Sequence, residues 1–397
     1  MLHAIGGQSA DYTPCSFMLF FGLYDTCRTE LSFVKRQVEL GLDAFVHVGH
    51  LNHALHGYGA LSPEVKVQEW IEAPDGARVF CRRLDTPNGA LTAKVKQLDG
   101  WPTKTDFPLM KDWLVPRSTE FLVKPEEDLE KVRYVLGPFK DADIHALKEE
   151  AAAAGKIAEK YGLLQVGGYK GYTKPGPSGV QVDPGVMGCD AMAWLSGFEM
   201  IMVLSLTRPE IVKEYAQIIH QWNLKQIEIY LDVTAADLII RRGWYETTEF
   251  WTPEAWRQII RPTLVAEARL IHQAGRKLGY IVTSAYLPLL DDIFASGVDV
   301  LIGVDPYQGK GTDLSAVKSK AAERKKALWG GVSGPLTIEQ GSAEGIERAV
   351  RNALSVLGRG GGFILSPVDN VSDYRAPARR NVQSFVDSWK KLRSEYA

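Results

Sequence analysis

A chain of 397 residues with 45% hydrophobic and 24% charged side chains can fill a large buried core. Its formal net charge of −2 offers no basic excess for nucleic acid, and no basic helix points to a membrane surface. No apolar run reaches the ~18 residues of a spanning helix, no basic stretch followed by an apolar one opens the chain, and the four cysteines (Cys15, Cys27, Cys81, Cys189) are scattered without a C-x-x-C pair, so a cytoplasmic protein with reduced thiols is expected.

In chain order, Ser16 to Gly22 reads as a strand, Glu30 to Leu40 as a helix stopped by Gly41, and Asp43 to Val48 as a second strand. Three β-rich stretches follow, 65–72, 78–84 and 90–96, separated by the turn signals Pro-Asp-Gly at 74–76 and Pro-Asn-Gly at 87–89. They read as a small β excursion, 66–97, inserted in a larger fold. Pro125 opens a helix with three acids in its first turn, and Asp141 to Tyr161 is a longer one. Leu163 to Gly168 is a strand, followed by a loop rich in Gly, Pro and Tyr through Pro184, then helices at 189–204 and 208–232.

From there a β/α alternation is legible. Strands are expected at 236–240, 278–283, 298–304, 327–332 and 362–365. Helices are expected from Pro253, at 262–274, 287–296, 314–323, 342–357 and 377–395. The run 298–304 is apolar throughout, as a strand buried on both faces requires. Repeated β/α units imply a parallel sheet, and the expectation is one domain over 1–397 closed into a (β/α)8 TIM barrel. An open doubly wound sheet is the alternative, but no G-x-G-x-x-G follows an early strand.

Parallel barrels carry their chemistry at the C-terminal ends of the strands. That rule selects His50, Tyr169 and Tyr172, the run Arg241-Arg242-Gly243-Trp244-Tyr245-Glu246, then Ser284, Tyr286, Asp305, Ser333 and Asp369. Capping competes with chemistry for the Ser and Asp members of this set. Ordinary packing competes for the aromatic ones. Half of the eight histidines lie at 47, 50, 53 and 56, but His47 falls in the strand, so the four cannot share a face as a metal site would need. No G-x-S-x-G, P-loop or H-E-x-x-H is present.

Three stretches, Ala327-Leu-Trp-Gly-Gly-Val-Ser-Gly-Pro335, Gly341 to Val350 and Gly361 to Leu365, carry a family likeness. So do Asp85-Thr-Pro-Asn-Gly89, the Trp-Thr-Pro-Glu-Ala-Trp stretch at 251–256, and Val298 to Asp305. From about residue 30 onward the chain resembles the uroporphyrinogen decarboxylase superfamily, whose members are (β/α)8 barrels and include methyltransferases that move methyl groups to or from a corrinoid. The decarboxylase branch carries Arg-Gln-Ala-Gly-Arg-Tyr near its N-terminus, which is missing here. His50 stands where that branch has an Asp, and Val368-Asp369-Asn370 replaces its late Gly-His-Gly. An imidazole cannot substitute for a carboxylate that collects pyrrole N–H groups, so uroporphyrinogen is not the expected substrate. In the zinc-dependent methyltransferases a His-x-Cys and a distant Cys hold the metal. Those positions correspond here to Val282, Ser284 and Asp369, so no thiolate zinc site is expected. A harder divalent-metal site using Asp369, Glu246 and a histidine is a further option.

The resemblance implies a methyltransferase acting on a small polar or methoxylated substrate, with a corrinoid carried by a separate protein. Glu246, Asp369 and His50 are the candidate catalytic residues. Tyr169, Tyr172, Arg241, Arg242, Trp244, Tyr245, Ser284, Tyr286 and Asp305 are the candidate substrate-binding set. A second reading is a lyase (a decarboxylase) whose carboxylated substrate is anchored by Arg241 or Arg242. A third is a non-catalytic binding protein that has lost the metal site. By family analogy a homodimer is one expectation.

Overall fold

Short apolar strands alternating with amphipathic helices produce a curled parallel sheet with helices packed around it. The computed structural model describes residues 1–51, 61–97, 109–110, 112–169, 185–309 and 311–396. After two single helical turns, α1 (Leu2–Ile5) and α2 (Phe21–Tyr24), come α3 (Glu30–Leu40) and β1 (Phe45–His47). The start of α3 is set by reciprocal Thr29 and Ser32 hydrogen bonds, and its end by Gly41. The excursion follows as β2 (Lys66–Glu72), β3 (Val79–Thr86), β4 (Gly89–Lys96) and β5 (Ser118–Glu120), an antiparallel sheet in that order. Its last strand carries no alternating pattern long enough to be read from sequence. Then come α4 (Pro125–Val135), α5 (Asp141–Tyr161), β6 (Leu164–Gly167), α6 (Asp190–Ser196), α7 (Phe198–Thr207) and α8 (Pro209–Val233).

The remainder is the regular alternation: β7 (Leu238–Arg242), α9 (Pro253–Ile259), α10 (Arg261–Gln273), β8 (Lys277–Ile281), α11 (Leu290–Ala295), β9 (Val300–Val304), α12 (Leu314–Glu323), β10 (Ala327–Ser333), α13 (Ala343–Ala353), β11 (Phe363–Val368) and α14 (Ala378–Leu392). Strands β1, β6, β7, β8, β9, β10 and β11 pair in that order, all parallel. Every residue of β7, β9, β10 and β11 is buried, as expected for strands covered on both faces. The sheet is curled: Phe45 on β1 and Trp329 on β10, five strands apart in the pairing order β1 to β10, make an edge-on ring contact at 5.4 Å.

The eighth strand of the expected barrel does not form among the described residues. Ser16 to Gly22 is instead an irregular strip with isolated parallel bridges, Cys15 to Leu365 and Leu19 to Asn370, before the chain turns into α2. On the other side of the strip, Cys15 O accepts from Asp43 N at 2.8 Å and Asp43 Oδ2 accepts from Cys15 N at 2.9 Å. The strip therefore meets β11 and the lead-in to β1 through isolated pairs of hydrogen bonds rather than a continuous ladder. The indole N–H groups of Trp389 and Trp329 donate to Thr13 O and Ser16 O and pin it down.

Three other expectations shift. The helix expected at 189–204 breaks at Gly197 into α6 and α7, which meet at 110°. Gly197 has φ +77°, and a Cβ there would lie 2.5 Å from the Phe121 ring. The strand expected at 236–240 runs two residues later, so Arg241 and Arg242 lie within β7. Strand β11 runs on to Val368 rather than stopping at Leu365. No single helix among the described residues is long and apolar enough to cross a membrane.

Candidate active site at the strand ends

Successive side chains of a strand point to opposite faces, so the neighbours Arg241 and Arg242 do different things. Arg241 faces the helices. Its guanidinium pairs with Glu246, and its Nε lies 2.6 Å from Glu267 Oε2 on α10. Glu267 in turn meets His220 Nδ1 of α8 at 2.9 Å. Glu246 is fully buried and accepts from Tyr280 OH (2.6 Å), from the backbone N–H of Cys189 (2.8 Å) and from Arg241. These contacts tie β7, β8, α8, α10 and the start of α6 together. Arg241 and Glu246, expected to bind substrate and to act as acid or base, thus sit on the helix side of β7 with their polar atoms engaged by the protein.

Arg242 lies on the opposite face. Its guanidinium is held between two indole rings, 4.6 Å from Trp194 and 4.3 Å from Trp244. Its Nη2 donates to both carboxylate oxygens of Asp112 at 2.9 and 3.1 Å, and Asp190 Oδ2 lies 3.5 Å from its Nε. Asp112 also accepts from Trp194 Nε1 and Tyr245 OH, and Asp190 accepts from Tyr245 N. Tyr169 packs edge-on against Trp244 at 5.8 Å. Partial desolvation works against the charge of Asp112, whose side chain keeps 52% of its surface open, but Arg242 and the hydrogen bonds from Tyr245 and Trp194 outweigh it and hold the carboxyl below its ordinary value. Asp190 goes the other way. Burial, reinforced by the charges of Glu246 and Asp112 and only partly opposed by Arg242, pushes it up to about 7.

Two more carboxylates stand at neighbouring strand ends, Asp305 after β9 and Asp369 after β11. Gln308 spans them: its backbone N–H donates to Asp305 Oδ1 at 3.1 Å and its Nε2 to Asp369 Oδ2 at 2.7 Å. Burial raises the pKa of both, and for Asp369 the charges of Asp305 and Asp112 add to the rise while Arg242 opposes it. Asp369 adopts φ +65°, which turns the chain sharply off the strand and which an Asp tolerates better than most residues. Ser284, after β8, donates to Glu249 at 2.6 Å, and Tyr286 is buried nearby in sequence with its ring closed off from solvent.

The structure therefore brings Arg242, Trp244, Tyr245, Tyr169, Asp305 and Asp369 to one end of the sheet. It does not bring His50 there through any described contact. His50 Nδ1 lies 3.2 Å from Glu150 on α5, on the helix side of β1. Tyr172, His53 and His56 lie outside the described residues. No group of three or more His, Cys, Asp and Glu side chains among the described residues could hold a metal ion. Val282, Ser284 and Asp369 do not fit a thiolate zinc site, and among the described residues Asp369, Glu246 and a histidine do not come together.

Sequence reasoning missed Asp112, Asp190, Trp194 and Gln308. Gln308 lies three residues beyond a selected strand end and was within reach of the same rule. Asp190 and Trp194 belong to α6, and Asp112 to a single helical turn before β5; nothing local marks them.

No family model matches the chain, and no curated protein matches it in sequence. Among solved structures, a methyltransferase from Methanosarcina mazei aligns over 98% of this chain and 97% of its own, with a TM-score of 0.56 and 17% identity. At that identity the likeness is one of fold: a curled parallel α/β sheet of the barrel kind. D-psicose 3-epimerase from Clostridium cellulolyticum H10 aligns over 65% of this chain and 84% of its own at 13% identity, with a TM-score of 0.33. A 3-keto-L-gulonate-6-phosphate decarboxylase from Vibrio cholerae covers 50% and 81%, at 11% identity and a TM-score of 0.27. Both scores are too low to carry an argument.

Proposed function

We propose that the chain is an enzyme of the methyltransferase type, moving a methyl group between a small polar substrate at the strand ends and a corrinoid presented by a partner protein. In this reading the strip at 15–19 stands in for the eighth strand of a (β/α)8 barrel. The fold shared with the methyltransferase from Methanosarcina mazei is compatible with it. The observation that supports it most is the linked carboxyl pair, Asp305 and Asp369, kept above the ordinary carboxylate range by burial. A neutral heteroatom that loses a methyl group must gain a proton, one that is already protonated leaves with the proton it carries, and one that accepts a methyl group must lose its proton. A carboxyl tuned toward neutrality can hold that proton at the reacting atom. Asp369, Trp244 and Tyr245 are half-buried rather than sealed, which leaves the mouth open to a group offered from outside. The corrinoid would supply the nucleophilic or methylated centre. Among the described residues no ligand set for zinc activation of a thiol is assembled.

The lyase reading is weaker for a specific reason. Its anchor was to be Arg241 or Arg242, and each guanidinium already faces two carboxylates. A third, on the ligand, would meet repulsion rather than an open fork. The test is a transfer assay in both directions, with reduced corrinoid and a panel of methylated donors, and with methylcorrinoid and a panel of acceptors. Transfer is expected, and Asp369→Asn should lower its rate roughly 10²-fold or more. Silence across both panels, with carbon dioxide released from a carboxylated substrate instead, would replace this reading by the lyase.

A further inference from the structure

Four consecutive strand ends place side-chain oxygen atoms together, three of them buried without a hydrogen bond of normal length and angle. Asp305 Oδ1 accepts from the backbone N–H groups of Tyr307 and Gln308 at 2.7 and 3.1 Å, whereas Asp305 Oδ2 is buried with no hydrogen bond of normal length and angle. Ser333 Oγ, at the end of β10, and Tyr286 OH, beyond β8, are buried in the same condition. Asp369, beyond β11, is joined to Asp305 through Gln308. An ionised carboxylate only accepts, and leaving it buried without donors costs about 1–3 kcal/mol or more; the Ser333 hydroxyl stands beside Asp305 as one donor, and a ligand that donates would fill the remaining acceptor positions of the two carboxylates.

Charge says what kind. The guanidinium whose field reaches Asp369 is that of Arg242, and Arg242 is already opposed by Asp112 and Asp190. Among the described residues named here, four carboxyl groups stand against one cation. A neutral alcohol or ether brings at most one donor and no charge. A carboxylate brings the wrong charge. A divalent cation would satisfy the charge, but no group of three or more metal-ligating acids, histidines or cysteines is assembled among the described residues. A protonated amine brings both charge and several N–H donors, and it needs only two carboxylates and neighbouring hydroxyls.

We infer that the Asp305–Asp369 cluster receives the ammonium group of the substrate, so that the substrate class is a protonated amine. This rests on the reading of the strand ends as the reaction site. Asp305 Oδ2 and the Asp369 carboxylate accept from the ammonium N–H groups, with the hydroxyl oxygens of Ser333 and Tyr286 as further acceptors. Gln308 is a positioning residue that holds the two carboxylates at a fixed separation.

The experiment is calorimetric titration of the full chain with methylammonium and dimethylammonium, with methanol and acetate as neutral and anionic counterparts, and with magnesium and zinc ions. The ammonium ions should bind and the counterparts should not. Asp369→Asn and Asp305→Asn should each weaken that binding roughly 10–100-fold, the loss of one charge-assisted hydrogen bond. Asp373→Asn, on an exposed loop, should leave it unchanged. Circular dichroism and thermal melting establish that each variant is folded; if Asp305→Asn is not, the half-buried Asp369→Asn carries the test. No binding of either amine, binding that both variants leave intact, or metal binding lost in the variants and not displaced by amines each overturns the inference. Failure of the reaction reading looks different. Amine binding that depends on both aspartates, without any methyl transfer, upholds the inference and removes the methyltransferase. Transfer from methoxylated donors without amine binding does the reverse.

Discussion

At the scale of single residues, the molecule separates two adjacent arginines by the alternation of one strand. Arg241 knits β7 to the helices, and Arg242 faces the strand-end cluster between two indoles. The carboxylates around Arg242 are not equivalent. Asp112 has the guanidinium fork and two further donors, and its charge is favoured. Asp190 is fully buried, has the longer contact, and is pushed up to about 7. Folded protein therefore binds a proton at Asp190 at pH values where the unfolded carboxyl has already lost it. Stability from this group is present below the unfolded value near 3.8, falls as pH rises toward about 7, and stays low above that. Urea denaturation across pH 4–8 should show this decline, and Asp190→Asn should flatten it by a few kcal/mol at most. A variant with the same slope as the parent would mean that Asp190 ionises freely in the fold. The pKa values of Asp305 and Asp369 move in the same direction and add slope of the same sign, so the parent curve should decline by more than Asp190 alone removes.

At the scale of elements, strand ends deliver the cluster and glycines allow the strands to approach it. In β10, Gly330 has φ +146° at the point where the pairing with β9 shifts register. A Cβ there would lie 2.7 Å from both N and O of Val304. Backbone cannot move aside as a flexible side chain can. Gly330→Ala should therefore cost roughly 2–4 kcal/mol and disturb Asp305, the residue immediately beyond Val304. Chemical denaturation reads the first effect. Loss of ammonium binding in variant protein that still folds reads the second. A neutral substitution would show that β9 and β10 are looser at this point than their burial implies. The break at Gly197 has a similar local logic and a functional consequence. It ends α6 after Trp194, so that this indole can lie against Arg242 while α7 leaves at 110°.

At the scale of the whole molecule, the two edges of the parallel sheet depend on the strip at 13–20. The strip has no ladder of its own; it is held by bridges to Leu365 and Asn370, hydrogen bonds to Asp43, Ser366 and Arg393, and the two tryptophan N–H donors. Removing residues through Phe20 would uncover the edges of β1 and β11 and the apolar residues Phe17 and Phe20 stacked beneath them. Exposed, flat, apolar edges associate. Such a truncated chain should elute as aggregate in size-exclusion chromatography, and a monodisperse, cooperatively melting product would mean that the sheet supports its own edges.

Much of the architecture was legible in the residues because it is local. The apolar strands from Ala236 onward, the helix starts at Pro253 and Ser342, and the turn tripeptides of the excursion all act within a few positions of one another, and the elements appeared within two or three residues of where those signals put them. The strand-end rule then singled out Arg242, Trp244, Tyr245, Asp305 and Asp369 from sequence alone, since parallel topology dictates which end collects side chains. What the sequence could not decide was which face each residue takes and what stands across from it. Arg241 and Glu246 looked as eligible as Arg242 and Asp369, and only the packing of α8 and α10 against β7 turns the first pair inward to the helices. Asp112 and Asp190 lie 130 and 52 positions from Arg242 and reach it only through the assembled fold. The stretch expected as the first strand was decided the same way, because it forms an irregular strip held by contacts from Trp329 and Trp389 rather than by any pattern of its own. Propensity and alternation are written within a few residues; charge balance and burial are properties of residues that meet from distant parts of the chain.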